Sequence, residues 1–194
     1  MPASYPIAVV VVNWNSGAYL DKCLQSLGTQ TLKPARIIVV DNASTDDSLE
    51  GLEEKFLDCE FIKLESNTGF AYANNFAVKK AGDCDWIAFL NPDAFASSDW
   101  LEKLSNAAED FPECTSFGSH MLRHGSDQID GTGDVYHVCG SAWRRDHGAL
   151  SSKVERKMQE IFSPCAAASF IRRDVFSEAG GFDENFFAYF EDVD

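Results

Sequence analysis

Basic residues are scarce in this chain. Of its 194 residues, 16 are Lys or Arg against 31 Asp or Glu, for a formal charge of −15. A nucleic-acid binder needs a basic face to replace counterions along phosphates, so that class is excluded. Attachment to acidic lipids through surface charge is excluded on the same ground. Long hydrophobic runs are missing too: no apolar stretch approaches the roughly 20 residues that span a bilayer. The stretch 7–12 is too short for a secretory leader and has no basic residue before it, so it reads as a buried strand. The six cysteines lie 25 to 36 residues apart with no CxxC pair, whereas disulfide frameworks and zinc sites cluster more tightly. Reduced, mostly buried thiols of a cytoplasmic protein are the expectation. Internal repeats, low-complexity tracts and linkers are also lacking.

What is present suits one domain over residues 1–194. Hydrophobic residues make up 45% of the chain, enough for a sizeable core. The first half alternates strand and helix signals. Residues 7–12 form a continuous β-branched run, as in a central parallel strand covered on both faces. Ser16 is placed to cap a helix through Leu27, with Leu20, Leu24 and Leu27 on one stripe. Strands are expected over 37–40, 61–64 and 86–90. Helices are expected from Ser44 or Thr45 to about Leu57, from Phe70 to about Ala81, and from Ser97 or Ser98 with Trp100, Leu101, Leu104, Ala108 and Phe111 inward. Such alternation implies βαβ units, a mostly parallel sheet and right-handed crossovers, the α/β class. Residues 123–160 are poorly periodic and read as a short strand pair with a mobile loop. Regular structure resumes at 165–171 and leads to a short helix and a Gly180-Gly181 stop. The chain ends at Asp194 with no helix-terminating signal, which reads as a cut inside an element.

In open α/β sheets ligands sit beyond the carboxyl ends of the parallel strands. Four successive strand ends here carry short polar side chains: Asn13-Trp14-Asn15, then Asp41 to Asp46, then Asn67-Thr68-Gly69 with Asn74-Asn75 one turn on, and Asn91-Pro92-Asp93. Each alone suits a turn or a helix cap. Their shared placement on one sheet edge points to a binding site.

The strings Val-Val-Asn-Trp-Asn-Ser, Val-Val-Asp-Asn-Ala-Ser-Thr-Asp, Asn-Thr-Gly-Phe-Ala-Tyr-Ala-Asn-Asn, Asn-Pro-Asp, Gly-Gly-Phe-Asp-Glu and Tyr-Phe-Glu-Asp-Val-Asp occur in that order. Together they resemble a family 2 glycosyltransferase of the GT-A (Rossmann-like) fold, close to the rhamnosyltransferase-like branch, cut just after the terminal Glu-Asp motif. The resemblance covers about residues 6–194. It implies a mixed, mostly parallel sheet flanked by helices, with a nucleotide-sugar half at about 1–95 and an acceptor-side half at about 96–194.

By that resemblance Asn13 and Trp14 border the base and Asp41 accepts a hydrogen bond from its imide N–H, which uracil, thymine and guanine all offer. Gly69 lets the backbone approach the nucleotide, and Asn74 or Asn75 is a nearby polar contact. Asp93 is the expected ligand of Mg²⁺ or Mn²⁺, with Asn91 where the family's usual motif begins with Asp. Asp192 is the expected general base, with Glu191 beside it and Tyr189 as a wall for the acceptor. Arg172 and Arg173 are expected to face solvent or pair with nearby acids.

The implied reaction is inverting transfer from a dTDP-, UDP- or GDP-linked sugar to a saccharide or lipid-linked acceptor, in cell-surface polysaccharide synthesis. A lipid-linked acceptor would put this cytoplasmic chain at the inner face of the membrane. Two other readings stay open. One is a sugar-phosphate nucleotidyltransferase, although 12–17 lacks the Gly-rich basic loop it requires. The other is a non-catalytic nucleotide- or glycan-binding module of the same fold.

Overall fold

A computed structural model describes residues 5–155 and 157–193. Asp194, the last residue of the Tyr-Phe-Glu-Asp-Val-Asp string, lies outside the described residues. A six-stranded sheet is built from β1 (Ile7–Asn13), β2 (Arg36–Asp41), β3 (Cys59–Lys63), β4 (Trp86–Leu90), β5 (Ser116–Gly118) and a late strand, Ala168–Arg172. Two hairpins intervene, pairing β6 (Met121–Leu122) with β7 (Ile129–Gly131) and β8 (Asp134–Tyr136) with β9 (Ala142–Arg144), so the late strand is β10. The sheet order is β3-β2-β1-β4-β10-β5. The first four strands are parallel, and β10 runs antiparallel to β4 and β5.

All seven residues of β1 are buried, because alternate side chains enter different layers. Ile7, Val9 and Val11 join Leu20, Leu24 and Leu27 of α1 (Tyr19–Gly28) and Leu101, Leu104 and Ala108 of α4 (Trp100–Asp110). Ala8, Val10 and Val12 join Ala73 and Ala77 of α3 (Phe70–Val78) and Phe176 of α5 (Arg173–Glu178) on the other face. Each fully buried Val or Leu in these layers contributes about 1.5–3 kcal/mol relative to exposure. Across β4 and β10, Trp86 stacks on Phe170 with ring centroids 4.5 Å apart, which fastens the antiparallel addition to the parallel body.

Several local expectations change. Ser16 caps no helix; its hydroxyl donates to Asn13 Oδ1 and α1 starts after Ala18. The helix expected from Ser44 to Leu57 shrinks to one turn, α2 (Leu52–Lys55), after Gly51 at φ +69°. The reason is competition: Asn15 Oδ1 accepts from the backbone N–H groups of Thr45 and Asp46, and Asp46 Oδ1 from that of Ser48. Side-chain acceptors thereby satisfy the donors that a helix would have used. Phe111 lies past the end of α4, 37% exposed. Residues 123–160 hold strands of only three residues each, too short to print a period. All six cysteines are free, three of them buried, one half-buried and two exposed. Arg172 pairs with Asp174 at 2.7 Å. Among the described residues, no helix is long and apolar enough to cross a membrane.

Candidate functional site

Strand order reverses between β1 and β4. Their carboxyl ends, Asn13 and Leu90-Asn91, therefore open a crevice at a topological switch point. Because β10 is antiparallel to β4, its entry segment 165–167 reaches the same edge, where Asn91 N–H donates to the Ala167 carbonyl at 2.9 Å.

Behind this edge lies a buried polar network. The Asn13 side-chain amide donates to Asp41 Oδ1 at 2.8 Å, Ser48 Oγ at 2.9 Å and Ser44 Oγ at 3.0 Å. Asp41 Oδ2 accepts from Ser44 N–H at 3.2 Å. Asn42 reaches across to the loop after β3: it donates to Asn67 Oδ1 at 2.9 Å and to the Gly69 carbonyl at 3.1 Å, and accepts from Thr68 N–H at 2.8 Å. Buried amides with both ends satisfied hold three loops in one arrangement.

In front of the network an open cleft of about 1110 Å³ is bounded by Trp14 and Asn15, by Gly69 and Phe70, by 91–93, by 165–167, by Asp134 with Trp143 and Arg144 of the β8–β9 hairpin, and by 187–193. It brings together seven of the residues singled out from sequence: Trp14, Gly69, Asn91, Asp93, Tyr189, Glu191 and Asp192. Asn13, Asp41, Asn74 and Asn75 do not line it.

Asn74 Nδ2 donates to the Phe70 carbonyl at 2.9 Å. Asn75 clasps the backbone of Phe182, donating to its carbonyl at 2.8 Å and accepting from its N–H at 2.9 Å. Gly69 has φ +83°, and a Cβ there would lie 2.4 Å from the Phe187 carbonyl oxygen, whose partner is Phe70 N–H at 2.7 Å. The close approach at Gly69 is therefore made by the chain's own Phe187.

The acidic end of the cleft centres on Asp192, whose Oδ2 accepts from Ala166 N–H at 2.9 Å. Beside it stands Asp134, 6% exposed, with Oδ2 lacking a hydrogen-bond partner among the described residues. Burial, with the Asp192 charge adding to it, pushes the Asp134 carboxyl up to about 6. Cys165 Sγ and one oxygen of each carboxylate lie within 4.8 Å of one another, and burial pushes that thiol up to about 11. Glu191 is also raised by burial, and its Oε2 has no partner among the described residues. Arg144 brings positive charge to this end of the cleft while ion-paired to Asp130.

Asp134, Trp143, Arg144 and Asn42 were not singled out from sequence. Asn42 stood inside a noted strand-end string, and Asp134 follows Gly131-Thr132-Gly133, a glycine-flanked acid in an otherwise unpatterned region. Asp93 is exposed at the cleft, on the Asn91–Ala94 turn closed by Ala94 N–H to the Asn91 carbonyl at 3.0 Å. A free carboxylate and hard oxygen donors suit a divalent cation that takes most of its ligands from a diphosphate.

The chain is similar to the N-acetylglucosaminyl-diphospho-decaprenol L-rhamnosyltransferase of Mycobacterium tuberculosis, 26% identical over 211 residues, covering 97% of this chain and 68% of that protein. It is also similar to the O-antigen biosynthesis protein RfbC of Myxococcus xanthus, 28% identical over 200 residues and covering 97% of this chain but 15% of that one. Among solved structures, S. aureus TarS in complex with UDP superposes with TM-score 0.68 at 19% identity, covering 97% of this chain and 53% of the TarS chain. GalNAc-T7 with UDP, GalNAc and Mn²⁺ superposes with TM-score 0.76 at 16% identity, covering 97% and 39%. These structural likenesses show the GT-A fold. The sequence profile described as glycosyl transferase family 2 matches residues 8–180. The chain belongs to glycosyl transferase family 2, carried on a GT-A fold.

Proposed function

We propose that this chain is the catalytic core of an inverting transferase that moves a sugar from a nucleotide-diphospho-sugar to a saccharide or lipid-linked acceptor in cell-surface polysaccharide synthesis. The observation that carries the reading is the single cleft at the switch point, which gathers Trp14, Gly69, Asp93 and Asp192 from four distant parts of the chain. Relatives and neighbours support it: a rhamnosyltransferase acting on a lipid-linked diphosphate by name, and structures of the same fold solved with UDP or with UDP, GalNAc and Mn²⁺.

In this reading the half at about 1–95 receives the nucleotide and the half at about 96–194 the acceptor. Asp41 is reserved for the base edge, although Asn13 and Ser44 hold it now. The Asn13–Asp41–Ser48 network and the Asn42 clamp keep the loops in place, which limits the entropy lost on binding. Asp93 would hold Mg²⁺ or Mn²⁺, whose charge, when bound, offsets that of the departing diphosphate.

The acceptor hydroxyl oxygen attacks the anomeric carbon as its bond to the diphosphate oxygen breaks, and the bond pair leaves with the nucleotide. The hydroxyl proton passes to Asp192. With Asp192 Oδ2 occupied by Ala166 N–H, Oδ1 is the oxygen left for that proton. A single displacement inverts the configuration and needs no covalent nucleophile. Cys165 is unsuited to that role because its thiol is held protonated.

The test has two readouts. UDP, dTDP and GDP are screened for thermal stabilisation with and without Mn²⁺, since specific binding raises apparent stability by mass action. The stabilising nucleotide's sugars are then assayed for transfer with wild type and Asp192→Asn. Transfer should be lost in the variant with nucleotide binding within a few-fold; retained turnover would remove Asp192 as the base. Nucleotide binding without turnover in the wild type would favour the non-catalytic module.

A further inference from the structure

We propose that Asp134, Cys165 and Asp192 form a second cation site, for a thiophilic divalent ion of the Zn²⁺ or Cd²⁺ kind, separate from the hard-ion position at Asp93. Filling it would withdraw Asp192 from proton transfer, a consequence that rests on the function proposed above. The site itself does not.

Three observations carry the site. One ligand atom from each of the three residues lies within 4.8 Å of the others. Asp134 is 94% buried by its 6% exposure, and its Oδ2 has no hydrogen-bond partner among the described residues. A buried carboxylate oxygen left unpaired costs free energy, so its surroundings favour whatever binds it. The three ligands are also held by separate anchors. Asp134 N–H donates to the Ser163 carbonyl at 2.9 Å, which ties β8 to the segment carrying Cys165, and Ala166 N–H fixes Asp192.

The ligand chemistry selects the ion. A thiolate with two carboxylates suits Zn²⁺ or Cd²⁺ and disfavours Mg²⁺ and Mn²⁺, which take oxygen ligands. At usual Zn–S and Zn–O lengths a tetrahedral site sets its sulfur and oxygen ligands about 3.6 Å apart, so the trio closes by little more than an ångström. All three residues line the cleft, so a further ligand can reach the ion from there. Binding forms one metal–sulfur and two metal–oxygen bonds and releases the Cys165 thiol proton, with any proton on the carboxylates, to solvent. Two acids and a thiol also gain the counter-charge that Arg144, engaged with Asp130, supplies only in part.

The experiment titrates the metal-free chain with Cd²⁺, following the ultraviolet charge-transfer band of cadmium thiolate, then displaces it with Zn²⁺. Exposed Cys139 sits 3.0 Å from His137 Nδ1 and is the competing thiolate site. Expected is one tight equivalent that excess Mg²⁺ does not displace, lost in Cys165→Ser and Cys165→Ala, weakened at least tenfold in Asp134→Asn, and kept in Cys139→Ser. Loss in Cys139→Ser with retention in both Cys165 variants, or no tight equivalent at all, overturns the site. In a transfer assay at saturating Mn²⁺, Zn²⁺ should inhibit wild type at least tenfold more strongly than Cys165→Ser. A tight Cys165-dependent equivalent without that inhibition overturns the role of Asp192, leaving the site standing.

Discussion

Replacing Asp134 with Asn should make the protein more stable at neutral pH and progressively less so as the pH falls. In the fold, burial and the neighbouring Asp192 raise this carboxyl from an ordinary 3.8 to about 6. At about 1.4 kcal/mol per pH unit, ionising Asp134 in the folded chain costs on the order of 3 kcal/mol more than in the unfolded chain. A raised folded value means that the carboxyl stabilises, relative to its ionised form, at low pH. That advantage disappears as the pH rises from about 3.8 through about 6. Asparagine fills the same space without ionising, so the wild type alone pays this penalty. Water in the cleft and movement of Asp192 reduce it, leaving about 1–3 kcal/mol at pH 8, or about 3–10 °C in Tm for a chain of this size. At pH 5 the gap should be about half as large. The assay is thermal unfolding of both proteins in chelator from pH 5 to 8.5, above the pI of about 4.5. Any pH-independent offset belongs to the asparagine amide. A gap that stays constant or shrinks with rising pH would refute the account of Asp134.

Three further outcomes are expected. Asp93→Ala should weaken Mn²⁺-dependent nucleotide binding at least tenfold by calorimetry while leaving Tm without ligand within a degree or two, because Asp93 is exposed. Gly181→Ala forces a side chain at φ +80° with its Cβ 2.5 Å from Asn75 Oδ1; it should cost more than about 1 kcal/mol, and adding Asn75→Ala should cost less than the two single losses summed, as a double-mutant cycle would show. Phe170→Ala removes a fully buried ring stacked on Trp86 and should lower stability by about 3–5 kcal/mol in denaturant melts.

The parts of the fold legible in the sequence are those written as long, uniform patterns. The β-branched run of β1, the five apolar residues of β4 and the inward stripe of α4 each carry enough repeats to declare their element and its buried face. Residues 44–51 misled because Ser, Thr and Asp favour helix caps, yet here Asn15 captures the Thr45 and Asp46 N–H groups from an opposite loop while Asp46 takes that of Ser48 two residues on. That distinction depends on which loop lies opposite, which no local window contains. For the site, polar strand ends led to the right edge of the sheet. They did not distinguish side chains that face the cleft from those behind it, such as Asn13, which holds the Asp41, Ser44 and Ser48 side chains, and Asn75, which clasps the Phe182 backbone. Asp134 escaped because it reaches Asp192, 58 positions onward, only once a hairpin of two three-residue strands has formed.

The order β4-β10-β5 has a bearing on synthesis. β5 pairs with β10 and not with β4, so the outer side of Trp86–Leu90 has no strand partner until Ala168–Arg172 has left the ribosome. For some eighty residues of elongation the nascent chain presents an unpaired, wholly apolar edge, the kind of template that recruits another strand. A chain ending before residue 168 would keep that edge permanently. Chaperone demand and aggregation during expression should therefore depend on whether β10 is present far more than on the length of the sequence that follows it.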